Sequence, residues 1–253
     1  MDSTLLLLCA LAFLAGFVDA IVGGGGLIQV PAGLLLLPNE PVARVIGSLK
    51  IPSFTGTFFA ARTYLKTIKI PFNRLILFTS IAFSAAFTGS YCLTKVSSSF
   101  MKPVILIVLF IIALYTFFKK DLGFKSAMTQ TQFPWYKGAA ICLIIGFYDG
   151  FIGPGAGALL VLLFISSLGF DFLQANAHAK VVNLATNLGS IVLFVLKGSI
   201  IWSIAIPMAV CNAIGGALGS KMAIAKGNKF IRTIFLIVIL ATLCRLGYDV
   251  FFH

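Results

Sequence analysis

Shifted by 130 residues, the chain matches itself. The string GFVDAIVGGGG at 16–26 returns as GFYDGFIGPGAG at 146–157, so that Asp19 meets Asp149, Gly23 meets Gly153 and Gly25 meets Gly155. In the same register, without a gap, Lys50 meets Lys180, Gly89-Ser90 meets Gly219-Ser220 and Phe100 meets Phe230. Matches among leucines and isoleucines are cheap in an apolar sequence, whereas paired Asp, Lys and Gly-Ser matches are not. The register predicts a duplicated unit of about 120 residues. A first repeat spans 1–123, a linker 124–136 and a second repeat 137–253.

Each repeat divides into five apolar segments, at 4–22, 26–37, 45–65, 73–94 and 101–118, and then at 137–152, 156–168, 175–196, 203–224 and 231–252. The whole chain is 60% hydrophobic and 10% charged, with a mean hydropathy of +1.07. A soluble domain carries roughly a quarter charged residues. Lipid must therefore be the solvent for most of this surface, and the expected fold is an all-α polytopic membrane protein. The second segment of each repeat has about a dozen residues, which covers only about 18 Å of a hydrocarbon core some 30 Å thick. Such segments read as broken or re-entrant half-helices joined to their predecessors through the glycine strings.

Lysine and arginine set the orientation. The loops at 62–74, 119–137 and 221–232 carry four each, whereas 95–102 carries two and the loop at 197 carries one. If the repeats are inverted, all three rich loops share one side, which is the cytoplasmic one. Parallel repeats would divide them between the sides. Inverted repeats require an odd number of crossings each, and both termini then face outward.

The formal charge of +12 resides in these loops, so it reports topology and no nucleic-acid surface. The five cysteines, Cys9, Cys92, Cys142, Cys211 and Cys244, all lie in apolar runs with no metal-ligand spacing and read as packed hydrophobes. The N-terminal apolar run has Asp2 and no basic residue before it, and part of it recurs inside the chain, so it reads as part of the fold and not as a cleaved leader. No serine sits beside a plausible base, no close carboxylate pair appears, and two histidines without a Cys cluster make no metal centre. Neither an enzyme nor a cofactor is expected.

Inverted repeats with discontinuous helices are a signature of secondary transporters, because half-helix N-termini deliver free N–H groups and a positive dipole end to the membrane interior. Gly24, Gly25 and Gly26 in one repeat, with Gly155 and Ala156 in the other, are the candidate anion-binding turns; the competing reading is close helix packing through small residues. Asp19 and Asp149, each four residues before a glycine break, either cap the broken helices or serve coupling and gating. In the third segments, Lys180, Asn183 and Asn187 follow a helical spacing with Asn176 one turn earlier, and Lys50, Ser53 and Thr57 are their counterparts. This stripe is expected to face the site. The lysines would contact the anion, pair with Asp19 and Asp149, or snorkel to the membrane surface. His178 is either a hydrogen-bonded structural residue or a proton carrier in coupling.

The strings AGFVDAIVGGGGL at 15–27, GFYDGFIGPGAG at 146–157 and AHAKVVNLATNLG at 177–189 resemble the TauE/SafE (TSUP) family of sulfite exporters, and its YfcA-like branch most. The resemblance runs over essentially the whole chain. It implies a multi-pass protein of the bacterial inner membrane that moves small anions, often sulfur-containing ones such as sulfite, sulfoacetate or thiosulfate. Its repeated signature falls on Asp19 and Gly23–Gly26, and on Asp149, Gly153, Pro154 and Gly155. Where the family often has an Asn-Lys pair, this chain has Leu49-Lys50. The expected function is alternating-access transport of a small anion. An anion channel, or a membrane assembly factor without a small solute, are the rival readings.

Overall fold

The structure is a computed structural model that describes residues 3–101, 103–104, 107 and 134–252, the stretch from 235 onward chiefly as backbone. The regular structure of the described residues is all helical. In chain order the helices are α1 (Ser3–Val22), α2 (Gly25–Leu36), α3 (Val42–Leu65), α4 (Phe72–Leu93), α5 (Trp135–Phe151), α6 (Ala156–Leu168), α7 (Phe172–Leu196) and α8 (Trp202–Phe252). The expected fifth segment of the first repeat, 101–118, falls mostly outside the described residues.

Prolines and glycines set most of the boundaries. Pro41, Pro71 and Pro134 immediately precede α3, α4 and α5 with φ between −57° and −68°, where a missing N–H costs no helical bond. Asp171 caps α7, its carboxylate accepting from the Gln174 amide at 2.8 Å. Gly169 closes α6 in the left-handed region (φ 70°), and the amide of Phe170 reaches back to the Phe164 carbonyl at 3.4 Å. Within α8 the backbone breaks at Gly227 (φ 70°, ψ −166°), between the segments expected at 203–224 and 231–252.

Among the described residues four helices are long and apolar enough to cross a membrane: α1, α4, α7 and the Trp202–Ile234 part of α8. The helices α2 and α6 have 12 and 13 residues, as the half-helix expectation requires. The burial pattern is that of a protein in lipid. Leu196, Phe72 and Ile144 are 65–73% exposed, while Lys180, Asn176 and Ser190 are fully buried. Large apolar side chains are left on the outer faces, while a set of polar and charged ones is buried within an otherwise apolar core.

The packing crosses between the halves of the chain. Helix α1 lies chiefly against α8, and α4 chiefly against α5. These contacts are close because they run through glycine. A Cβ on Gly89 would stand 2.2 Å from the Phe147 carbonyl oxygen, and one on Gly219 would stand 2.3 Å from that of Phe17. Both residues of the first contact become those of the second on adding or subtracting 130. The two lysine-bearing helices, α3 and α7, pack against each other at the centre.

Candidate functional site

Two glycine breaks meet in the middle of the molecule. Gly23, at φ 79°, ends α1 and turns the chain into α2; Gly153, at φ 93°, does the same between α5 and α6. Their backbones touch. A Cβ on Gly23 would lie 2.3 Å from the Gly157 carbonyl carbon, and one on Gly26 would lie 3.2 Å from Pro154 Cα. The N-terminal ends of α2 and α6 thus converge, which brings two positive helix ends to one place.

The third helices supply the charge. Lys50 Nζ on α3 donates to Asp149 Oδ1 and to the Asp149 carbonyl, both at 2.8 Å. Lys180 Nζ on α7 donates to Asp19 Oδ2 at 2.8 Å. Each lysine therefore bonds to the aspartate of the other half of the chain. The side chains are buried, Lys180 fully and Lys50 to within 6%, so neither lysine snorkels. Of the three readings of these lysines, pairing is the one formed. A buried ion of this kind is costly alone and tolerable as a hydrogen-bonded pair.

The two copies differ in how the aspartate is held. Asp19 has a second bond, its Oδ1 accepting from the Gly25 amide at 3.3 Å as the half-helix begins. In the second copy Pro154 stands where Gly24 does. Gly155 is then left-handed (φ 80°), and α6 starts one residue later, at Ala156, without a side-chain cap. Asp149 Oδ2 is buried and has no hydrogen-bond partner among the described residues. The capping reading of the aspartates is met at Asp19 and not at Asp149. The Tyr148 hydroxyl, next in sequence, donates to the Pro154 carbonyl and fixes this turn.

Between the breaks and the third helices lies a cavity of about 40 Å³. That is space for roughly three waters, the scale of a small inorganic anion. From the first half it is lined by Asp19, Gly23, Gly26, Lys50, Ser53 and Thr57; from the second by Asp149, Gly155, Ala156, Asn183 and Asn187, among others. Asn187 Nδ2 donates to Asn183 Oδ1 at 2.7 Å, which orients both amides. Gly24, Gly25 and Lys180 stand just behind the lining, Lys180 through its bond to Asp19. His178 is elsewhere: it packs at 4.6 Å against the Phe170 ring, and its Nδ1 lies 2.8 Å from the Gln174 carbonyl. Two residues before Lys180, it points to the other side of α7.

Sequence reasoning did not single out Gln29 or Asn212. Gln29, the lone amide of α2, donates to the Leu49 carbonyl at 3.3 Å and accepts from Asn212 Nδ2 at 3.0 Å. This chain of bonds ties the half-helix to α3 and α8 beside the cavity. A single amide in a twelve-residue apolar segment was its available signal. Among the described residues no group of three His, Cys, Asp or Glu side chains is placed to hold a metal.

Several membrane-length helices around a buried, charge-paired cavity with broken helices at its floor define a multi-pass helical membrane protein. The model of the family named Sulfite exporter TauE/SafE matches residues 8–246, and the chain belongs to that family. A Haemophilus influenzae protein named "Probable membrane transporter protein" is 32% identical over 97% of this chain and 95% of its own length. The Escherichia coli K12 "Probable membrane transporter protein YfcA" is also 32% identical, over 94% of this chain and 87% of its own. No solved structure matches the chain.

Proposed function

We propose that this protein is a secondary transporter of a small, sulfur-containing oxyanion of the sulfite, thiosulfate or sulfoacetate class, working by alternating access in a bacterial inner membrane. The observation that carries the reading is the cavity where two half-helix N-termini and two buried lysines converge. Helix N-termini and ammonium groups are general recognition elements for oxyanions. Family membership and the names of the relatives support transport, and the family's name supports the sulfur class.

The moving parts are two inverted repeats, 1–123 and 137–253, that rock against each other about the cavity. Inversion is supported by the place of two loop lysines. Lys95, after the fourth helix of the first repeat, and Lys197, after the third of the second, both lie over the Tyr91 ring, at 5.5 and 5.6 Å. Only inversion puts these two loops on one side of the membrane. The basic loops at 62–74 and 221–232, with the linker 124–136, then face the cytoplasm, and both termini face the periplasm.

The test is thermal stabilisation of purified protein by sulfite, thiosulfate, sulfoacetate, sulfate and short carboxylates, followed by flux of the best ligand into liposomes. A ligand at 100 times its dissociation constant adds about 2.7 kcal/mol of stability. A shift with a sulfur oxyanion and saturable, counter-flow-competent flux is expected. No shift with any anion, or flux that never saturates, would overturn the reading.

A further inference from the structure

We infer that Asp149 is the proton-binding site of the transport cycle, and that a divalent oxyanion enters the cavity together with one proton. The inference rests on the anion-transport reading above and assigns it a coupling ion.

Charge balance motivates it. The charged groups at the cavity wall are Lys50, Asp19 and Asp149, with Lys180 directly behind Asp19, two positive and two negative, all buried or nearly so. The two half-helix N-termini face the cavity and add about half a positive charge each, while C-terminal carbonyls of α1 and α5 beside them are taken up by Tyr64, Lys50 and Ser90. A divalent oxyanion placed there leaves an excess of roughly one negative charge in surroundings with little water, which is expensive. One proton on a carboxylate removes the excess.

Geometry selects the carboxylate. Asp19 uses both oxygens: Oδ2 takes Lys180 Nζ and Oδ1 takes the Gly25 amide. Protonating it would sacrifice one of these charge-assisted bonds. Asp149 has bonded Oδ1 to Lys50, while its buried Oδ2 has no partner among the described residues. A proton on Oδ2 converts an unsatisfied acceptor into a donor at the wall of the cavity, where an oxyanion can accept from it. The balance is simple: the Oδ2–H bond forms as the bond to that proton in the buffer's conjugate acid breaks, the buffer keeps the electron pair, and Lys50 stays an ammonium. The Lys50–Asp149 pair loses its ionic half, and Lys50, still bonded to the Asp149 carbonyl, can turn its charge to the anion.

Among the described residues, the other groups facing Asp149 are already bonded or neutral. From α3, Asp149 faces Lys50; from α1 and α7, across the cavity, it faces the Asp19–Lys180 pair and the neutral Asn183 and Asn187. Its sequence neighbour Tyr148 is engaged with Pro154, and α4 presents Ser90, bonded to the Gly150 carbonyl at 3.1 Å. The cause lies in the sequence. Pro154 in place of Gly24 delays the half-helix by one residue and withdraws the amide that holds the second oxygen in the other copy.

The experiment measures protons taken up per thiosulfate bound, by calorimetry of the detergent-purified full chain in two buffers of different ionisation enthalpy. Thiosulfate is chosen because it stays fully ionised from pH 5 to 9. Close to one proton per thiosulfate is expected between pH 7 and 8, with affinity falling about tenfold per pH unit on the alkaline side. Asp149→Asn should still bind thiosulfate, with uptake near zero and affinity independent of pH; His178→Gln, which lies outside the cavity lining, should keep the uptake. If Asp149→Asn does not fold, the infrared difference spectrum on adding thiosulfate decides: a new protonated-carboxyl band that shifts in Asp149→Glu supports the inference, and a band that Asp149→Glu leaves unmoved overturns it. Binding without proton uptake, uptake unchanged in Asp149→Asn, or no carboxyl band overturns it and leaves the anion reading intact. Failure of every anion to bind overturns both.

Discussion

Lys180 and Asp19 are 161 positions apart in the chain and 2.8 Å apart in space, and the bond between them is the register-shifted counterpart of the one between Lys50 and Asp149. A lysine on the central helix of each half is neutralised by the broken helix of the other. The halves are locked at the level of charge as well as of packing.

Removing one member strands the other. Lys180→Ala leaves Asp19 with the Gly25 amide alone, and a loss of about 3–5 kcal/mol is expected, seen as a large fall in the unfolding midpoint in detergent. The double variant Asp19→Asn/Lys180→Met, which buries no charge at the pair, should recover most of it. Equal midpoints for the single and double variants would mean that the pair contributes no coupling.

Close backbone approach and backbone strain can be separated at two glycines. Gly219→Ala drives a methyl to within 2.3 Å of the Phe17 carbonyl and must push α1 from α8; the folded yield should collapse. At Gly227 a Cβ meets nothing within 4 Å, so only the positive φ opposes alanine. That cost is about 1–3 kcal/mol. Comparable yields for the two variants would refute the packing argument.

The Gln29–Asn212 bond makes a double-mutant cycle informative. Gln29→Leu should cost about 1–3 kcal/mol by orphaning Asn212 Nδ2 and withdrawing the donor to the Leu49 carbonyl. Gln29→Leu/Asn212→Leu should cost less than the sum of its parts. Strict additivity in the measured midpoints would show that the two amides act independently.

Topology is open to cysteine labelling in a background without the native cysteines. Single cysteines at Lys66 and Lys226 should react with an impermeant maleimide only after permeabilisation, and those at Lys95 and Lys197 in intact cells. Labelling of position 197 together with position 66, and of 226 with 95, would mean parallel repeats.

Much of this arrangement is legible in the amino-acid sequence, because lipid makes polar residues expensive. A carboxylate beside a run of glycines, or a lysine stripe inside an apolar segment, has few places to go, so Asp19, Asp149, Lys50 and Lys180 stand out by type and spacing alone. The half-helices follow from length. What spacing does not contain is partner choice: the 130-residue register allows each lysine to bond within its own half or across, and only packing decides. The Gln29–Asn212 bond is hidden in the sequence because single amides in apolar segments carry no periodicity. His178 adjoins Lys180 in sequence, but the helical turn of about 100° per residue puts it on another face. The segment at 101–118 falls mostly outside the described residues.

The crossed lysine–aspartate bonds also bear on how such a chain diverges. Two identical copies assembled as a dimer must carry every change twice, so any alteration at one glycine break appears at both and the binding site keeps its symmetry. Once the copies are fused in one chain, each break mutates alone while its lysine partner remains on the opposite copy. Under the proposed duplication, Pro154 in the register position of Gly24 is such a one-sided difference. Fusion lets one break keep its carboxylate anchored while the other specialises, an option closed to the symmetric assembly.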